Sequence, residues 1–325
     1  MGAYILRRIL ISIPVLIGIT IIGFVALKLS PGDPLLVSVN PEVLANLMSH
    51  PELLEAERVR LGLDQPIFPN QYLTWLTNVL QGDFGYSITT HRPIAEMISS
   101  RLPQTLLLMI VALTLAVAIG IPIGVITAVR QYSKLDYTLN SAAIFLASTP
   151  VFVLGLIFIY IFAVNLHWLP TSQPFTAGKD SIPNRIHHLI MPAVVLAIVN
   201  AAPLTRYTRA SMLEVLNSEY VTTARSKGLS SRTVIARHAF RNGLIPIITI
   251  VALLIPEAVA GAVITEQIFA WNGMGQLAVK AASARDPSLM MGIILMTGIA
   301  VLFANILADI GYAVADPRVR YDRAR

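Results

Sequence analysis

The chain has 325 residues, 55% hydrophobic and only 13% charged, and a mean hydropathy of +0.68. So little charge cannot cover a water-soluble domain of this length, and the apolar residues come in long blocks, as they do when lipid is the solvent. The net charge of +6 would suit nucleic acid, but the basic residues sit at block ends and in one loop, where membrane orientation explains them; the lack of cysteine excludes disulfides and thiolate metal sites.

Arg7 and Arg8 precede an uncharged stretch from Ile9 to Leu27. It is longer than a usual signal core and no small-x-small cleavage site follows, so it reads as a retained first span. Ser30 to Pro103 is the longest outer connection. Its middle, Glu42 to Leu63, carries apolar residues at helical spacing broken by Pro51, which predicts one or two short amphipathic helices. They form either a folded cap or a dedicated ligand site.

Five further blocks have the length needed to cross hydrocarbon: Thr105 to Val129, Ser141 to Val164, Leu189 to Thr205, Leu244 to Thr265 and Ser288 to Ala308. Pro14, Pro122, Pro150, Pro192, Pro203 and Pro256 lie inside spans, where a membrane bundle tolerates kinks. With an inner N-terminus, the inner segments carry fifteen Lys and Arg against nine outside, Lys28 at the end of the first span included. The positive-inside rule therefore puts both termini in the cytoplasm, and an even span count agrees. The expected fold is an all-α, polytopic bundle of about six transmembrane helices, one domain over residues 1–325, with 30–103 extracytoplasmic and 206–243 a cytoplasmic loop.

That loop carries the most information. Arg206 to Leu216 continues the fourth span; Glu219 to Lys227 predicts a short helix, with Ser218 as N-cap, Glu219 favourable to its N-terminal dipole and Gly228 ending it at positive φ. Ser231 to Arg241 then returns the chain towards Ile245-Pro246. Thr222, Thr223, Ala224 and Ser226 give the short helix small residues and Arg225 and Lys227 flank them, so the elbow is either a plain connector or a face that a partner protein approaches closely.

The elbow resembles the coupling loop, the EAA loop, of ATP-binding-cassette (ABC) importer permeases, specifically the dipeptide, oligopeptide and nickel family. Its peptide branch reads roughly Tyr-Val-x-Thr-Ala-Arg-Ala-Lys-Gly-Leu, then His-Ala-x-Arg-Asn, then Leu-or-Ile-Pro. This chain has Tyr220, Val221, Thr223, Ala224, Arg225, Lys227, Gly228, Leu229, His238, Ala239, Arg241, Asn242, Ile245 and Pro246 at those places. The likeness extends along the chain, through Pro31-Gly32-Asp33-Pro34, Gly82-Asp83-Phe84-Gly85, Arg101-Leu102-Pro103-Gln104-Thr105, Arg209 to Leu216, Thr265-Glu266-Gln267-Ile268-Phe269 and Asp316-Pro317-Arg318-Val319-Arg320. It departs from ABC permeases at large where Thr222-Thr223-Ala224 replaces Glu-Ala-Ala and Glu219 lies a turn earlier, as is usual in the peptide branch.

The resemblance implies a type I ABC importer permease in a bacterial or archaeal plasma membrane, moving di- or oligopeptides. It implies two ATP-binding partner subunits, a second homologous permease and an extracytoplasmic peptide-binding protein. Coupling to the ATPase would fall on Glu219, Thr222, Thr223, Ala224, Arg225, Lys227, Gly228 and Leu229. This chain has no P-loop: Gly178-Lys179 lacks the earlier glycine and continues into Asp180, so ATP and Mg²⁺ would be bound by the partners and not here.

Glu257 is the single ionisable residue in the middle of a proposed span. It either faces the pathway and attracts a peptide's amino group or is a packing-satisfied carboxylate. His187-His188 is expected to be an interfacial anchor rather than a metal site, because adjacent helical residues diverge and a third ligand is missing. Trp168 and Trp271 near outer span ends fit aromatic belts, and Gly120 with Gly124 makes a helix-packing face. No catalytic constellation is recognisable. The rival readings are an ion-gradient-driven carrier, which would need several coupled intramembrane charges or inverted repeats, a permease for a nickel chelate, and a membrane scaffold, which would not need the elbow.

Overall fold

The computed structural model describes residues 2–29, 49–60 and 65–315. The motif at Pro31–Pro34, residues 42–48 and 61–63 of the 42–63 segment, and the tail from Asp316 onward lie outside them. Among the described residues the regular elements are all helical: α1 Gly2–Leu29, α2 Pro51–Arg60, α3 Tyr72–Leu80, α4 Ile94–Val129, α5 Lys134–Ser148, α6 Val151–Phe158 with a wide π-type continuation over Ile159–Asn165, α7 Ile182–Leu216, α8 Glu219–Ser226, α9 Phe240–Ile268, α10 Met274–Ser283 and α11 Pro287–Ala315.

Among the described residues, four helical stretches are long and apolar enough to cross a membrane unaided: Leu6–Leu27, Ile94–Val129, Ile182–Leu216 and Pro287–Gly311. Two bent pairs, Lys134–Ser148 with Val151–Asn165 and Ser231–Leu244 with Pro246–Ile255, bring the number to six if each is one span. The first pair corrects an expectation. Ser141–Val164 is not one helix kinked at Pro150, because the chain turns through 105° there. Proline forces the residue before it out of the helical region, and Thr149 is extended at φ −87°, ψ 125°, with Pro150 at φ −56°, ψ 137° outside the helix that follows. Pro14, Pro192 and Pro203, in contrast, are carried inside their helices.

The chain separates into two compact units, residues 1–103 with 273–300, and 104–272 with 301–325. In the first, Phe24, Tyr72 and Met291 bring α1, α3 and α11 together, and the hydroxyls of Thr20 and Tyr72 share a 2.9 Å hydrogen bond. A second cluster joins Ile94 and Ile98 of α4 to Met274, Leu277 and Ala281 of α10 and to Leu289 and Ile293 of α11. Buried Asp286 knots this unit: it caps α11 by accepting from Leu289 N–H and accepts from the hydroxyls of Ser87 and Thr89.

The second unit holds the elbow. Leu108 and Ala112 of α4 pack on Leu189, Ala193 and Leu196 of α7, while farther along Gly124 meets Thr205 and Thr208, so α4 and α7 run parallel. Parallel neighbours need a crossing between them, which makes α5 with α6 a traversing segment. α9 is antiparallel to α7: Gly243 lies at Ser211 and Met212, and Phe269 lies with Met191 and Val195. Glycine is required in the α4 seam, because a Cβ at Gly124 would stand 2.5 Å from Thr208 Cβ and 2.7 Å from the Thr205 carbonyl oxygen. Gly120 likewise abuts Ala201 and Leu204, so both glycines serve close helix packing.

Candidate functional site

α7 ends at Leu216 and the chain turns through Asn217 and Ser218 into α8. Ser218 has the extended backbone of an N-cap, but its hydroxyl donates back to the Val215 carbonyl at 2.6 Å instead of accepting from the new helix, which corrects the expected cap bond. Glu219 in the first turn and Arg225 in the last complement the helix dipole. After Lys227 the chain passes through Gly228 at φ +75°, whose N–H donates to the Arg225 carbonyl. A Cβ there would touch nothing within 4 Å, so glycine is needed for backbone conformation and not for space. Ser230 then starts the returning helix, its hydroxyl accepting from Thr233 N–H.

The elbow hangs from the bundle by apolar contacts. Val221 and Ala224, three residues apart on one face, are buried with Ala128 of α4, Met212 and Leu216 of α7, and Val234 and Ala239 of the returning segment. Ala224 was expected to lie on the docking face. It does not, because the helical period places it beside Val221 against the chain's own core. Glu219, Thr222, Thr223, Arg225, Lys227, Gly228 and Leu229 are all exposed, together with Tyr220 and Ser226. The hydroxyls of Thr222, Thr223 and Ser226 donate to the carbonyls of Ser218, Glu219 and Thr222, one turn back. Their polar demand is met within the helix, so the outward face combines small, internally satisfied side chains with cationic ends.

Reading by residue type missed the support beneath the elbow. Asp136, near the start of α5 and 2% exposed, accepts a two-pronged bond from Arg209 of α7: Nε to Oδ1 and Nη2 to Oδ2, each 2.9 Å. Tyr132 N–H also donates to its Oδ2, and Asp136 N–H donates to Ser133, the N-cap of α5. A parallel fork onto a carboxylate is the geometry guanidinium is built for. The available signal was an acid placed among the basic residues of a short connection, between Arg130 and Lys134 on one side and an apolar helix on the other.

At the other end of the second unit the expected belt residue Trp271 is 1% exposed, with its indole N–H donating to the Gln104 carbonyl at 3.0 Å. It is a core residue, since the turn after α9 folds it inward and its N–H finds a buried acceptor. Trp168, the other belt candidate, is exposed. Glu266 of α9, fully buried, accepts from the Thr105 hydroxyl. His187 meets the Trp168 carbonyl through Nε2 at 2.8 Å, whereas His188 is buried instead of anchoring at a surface. His188 Nδ1 faces the Gln173 and Ser172 carbonyls, which assigns it the proton, and its Nε2 meets the Thr176 hydroxyl, itself an acceptor from Asn184. Among the described residues no group of three or more His, Cys, Asp or Glu could hold a metal ion. Glu257 falls within α9, and its side chain lies outside the described residues.

Comparison with known proteins gives one consistent result. Residues 120–321 match the family "Binding-protein-dependent transport system inner membrane component", and residues 1–109 match the N-terminal domain of the same transport-system membrane component. The oligopeptide transport system permease protein AppB of Bacillus subtilis (strain 168) is 46% identical over 99% of this chain and 100% of its own. A protein of Brucella suis biovar 1 (strain 1330) named as a peptide permease is 43% identical over 98% of each. In fold, the chain is similar to an inward-facing structure of the MetNI methionine ABC transporter, with a TM-score of 0.57 and 16% identity over 68% of this chain and 96% of that one. The chain therefore belongs to the family of binding-protein-dependent transport inner-membrane components, as a multi-pass permease subunit with the type I ABC importer fold.

Proposed function

We propose that this permease carries di- or oligopeptides inward, driven by ATP hydrolysed on two partner subunits that dock at the elbow. The peptide reading is supported by relatives named as peptide and oligopeptide permeases that match over the full chain, which a nickel-chelate permease or an ion-driven carrier would not lead one to expect. A second homologous permease completes the pathway, and an extracytoplasmic peptide-binding protein delivers the substrate. ATP and Mg²⁺ bind between the ATPase subunits and not to this chain. Both termini are cytoplasmic, as the Lys and Arg balance requires. Glu257 is the pathway candidate on its sequence position alone.

The observation that carries this reading is the outward face of α8: exposed Thr222, Thr223, Arg225 and Lys227 on a helix fixed from behind by Val221 and Ala224 and ended by a positive-φ glycine. A partner's groove that grips this helix moves a rigid body seated on α4 and α7, and the bundle changes the side to which it opens.

The test is Gly228→Val in the assembled transporter. A β-branched residue at φ +75° costs about 1–2 kcal/mol of backbone energy, so the turn gives way while the spans are untouched. Uptake of labelled peptide and its coupling to ATP hydrolysis are expected to be lost with membrane insertion unchanged. Wild-type coupling in the variant would refute the reading.

A further inference from the structure

The Asp136–Arg209 pair is not accounted for by docking, and its position shows what it does. Residues 204–216 of α7 touch every element around the elbow. Thr208 wedges against Gly124 of α4, Ser211 donates to the Gly243 carbonyl of α9 at 3.0 Å, and Met212 and Leu216 carry Val221 and Ala224 of α8. Arg209 of this stretch adds a directional side-chain bond to the packing of α7 on α5. The carboxylate it grips is buried and also holds the connection before α5: Tyr132, at φ +63°, is a non-glycine residue in the left-handed region, and its N–H is bonded to Asp136. A strained turn of this kind persists where its surroundings hold it.

A buried ion pair adds little net stability over an apolar pair of the same shape, yet losing one partner strands the other charge. It does impose one directional, two-pronged geometry where apolar contacts would slide. The chain beyond α5 is also jointed, because the break at Thr149–Pro150 separates α5 from α6 by 105°. α6 is seated at the far end of α7, where Leu154 packs with Met191, Val195 and Phe269, and α5 reaches that cluster only at its last turn, through Leu146 beside the joint. The start of α5 is thus held beside the elbow through Asp136, while its last turn and α6 are held at the opposite end of α7.

We propose that Asp136 and Arg209 are positioning residues: their ion pair ties α5 to the elbow, so that displacement of α8 is carried into α5 and turns it about the Thr149–Pro150 joint. This rests on the reading that an ATPase moves the elbow, and the experiment separates the two. The chain holds no cysteine, so Thr138→Cys on α5 and Ala236→Cys beside the elbow, both exposed positions, place one spin-label pair across the tie. The permease is assembled with cysteine-free partner subunits, and dipolar distances are recorded without nucleotide and after trapping with ATP and vanadate.

With the tie intact, the distance is expected to shift by no more than about 2 Å on trapping, the scale of small helix adjustments; with Arg209→Gln it should shift by about 5 Å, on the order of one helical turn, from an unchanged nucleotide-free value. Arg209→Lys keeps the charge but not the fork, so it should fold where the glutamine variant fails and give an intermediate shift. A purely structural pair would instead lower melting temperature and alter the nucleotide-free distance, leaving no difference specific to trapping. Equal trapped distances in wild type and Arg209→Lys, or a large shift already in wild type, overturn the tie alone. A wild-type complex without vanadate-sensitive ATP hydrolysis overturns the motor reading and the tie with it.

Discussion

The two ends of the second unit are held by different physics. Around Trp271 the chain is stitched by directional bonds between distant segments: indole to Gln104, Thr105 to Glu266, Gln173 N–H to the Phe269 carbonyl, and His188 to Gln173. At the elbow, α8 is seated by Val221 and Ala224, and its hydroxyls turn back on their own helix. Hydrogen-bond stitching between elements specifies one arrangement, because a shifted element leaves buried groups unpaired. Apolar seating tolerates small displacements with little change in energy. One end is thus held by directional bonds and the other mainly by apolar contact, with the Asp136–Arg209 fork and the Ser211–Gly243 bond as its directional exceptions.

The largest effect should come from breaking the stitched end. Trp271→Ala removes the biggest fully buried side chain and frees the Gln104 carbonyl, and large aromatic truncations cost about 3–5 kcal/mol. Trp168→Ala, at a position 63% exposed, should change stability within about 0.5 kcal/mol. Thermal unfolding of the two purified variants measures both. If they are equally harmful, the contrast between a stitched core tryptophan and a surface one fails.

The intermediate effect sharpens the other side. Val221→Ala deletes two methyl groups from the seat of α8, worth about 1–3 kcal/mol by transfer and cavity terms. Because α8 is joined to the bundle by this patch, the loss should appear as local opening. Amide hydrogen exchange is expected to speed up over residues 219–227 and stay unchanged around Phe269 and Trp271. A uniform loss of protection would show that the elbow is no separate unit.

Which features were legible follows from the range of the interactions. Gly228 was readable because a helix stop is a local matter of φ, and Gly120 with Gly124 because a four-residue repeat of small side chains is visible on one helix. The six apolar blocks were readable from length, but Pro150 was misjudged: whether a proline kinks a helix or divides it depends on what packs on either side, and the sequence does not display that. Ala224 and Trp271 failed in opposite directions for one reason. A small residue suggested an open face and an aromatic at a span end suggested an interface, while the burial of each is decided by residues far along the chain, Met212 and Val234 for one and Gln104 for the other. Asp136 and Arg209, 73 positions apart, could be paired only once α5 and α7 were placed side by side.

The smallest effect tests whether the stitching at the far end extends to its exposed loop. Asp180, just before α7, is bonded through both oxygens to Arg185, which also lies over the Phe175 ring. The side-chain bond from Arg185 holds the Asp180 carboxyl below its ordinary range. A carboxyl whose folded pKa is lowered contributes stability above its unfolded pKa and loses it as pH falls through the lowered folded value. Arg185→Gln should therefore reduce protection of the 176–184 loop at neutral pH, with the gap to wild type closing at pH values acid of about 3.9, the ordinary Asp value. Both side chains are about half exposed, so water and salt weaken the pair and the change should be slight. Hydrogen exchange compared at neutral and acid pH reads it. A gap that persists at low pH would mean that Arg185 acts by packing on Phe175 and not by charge, and the stitched region would then end at Asn184 and His188.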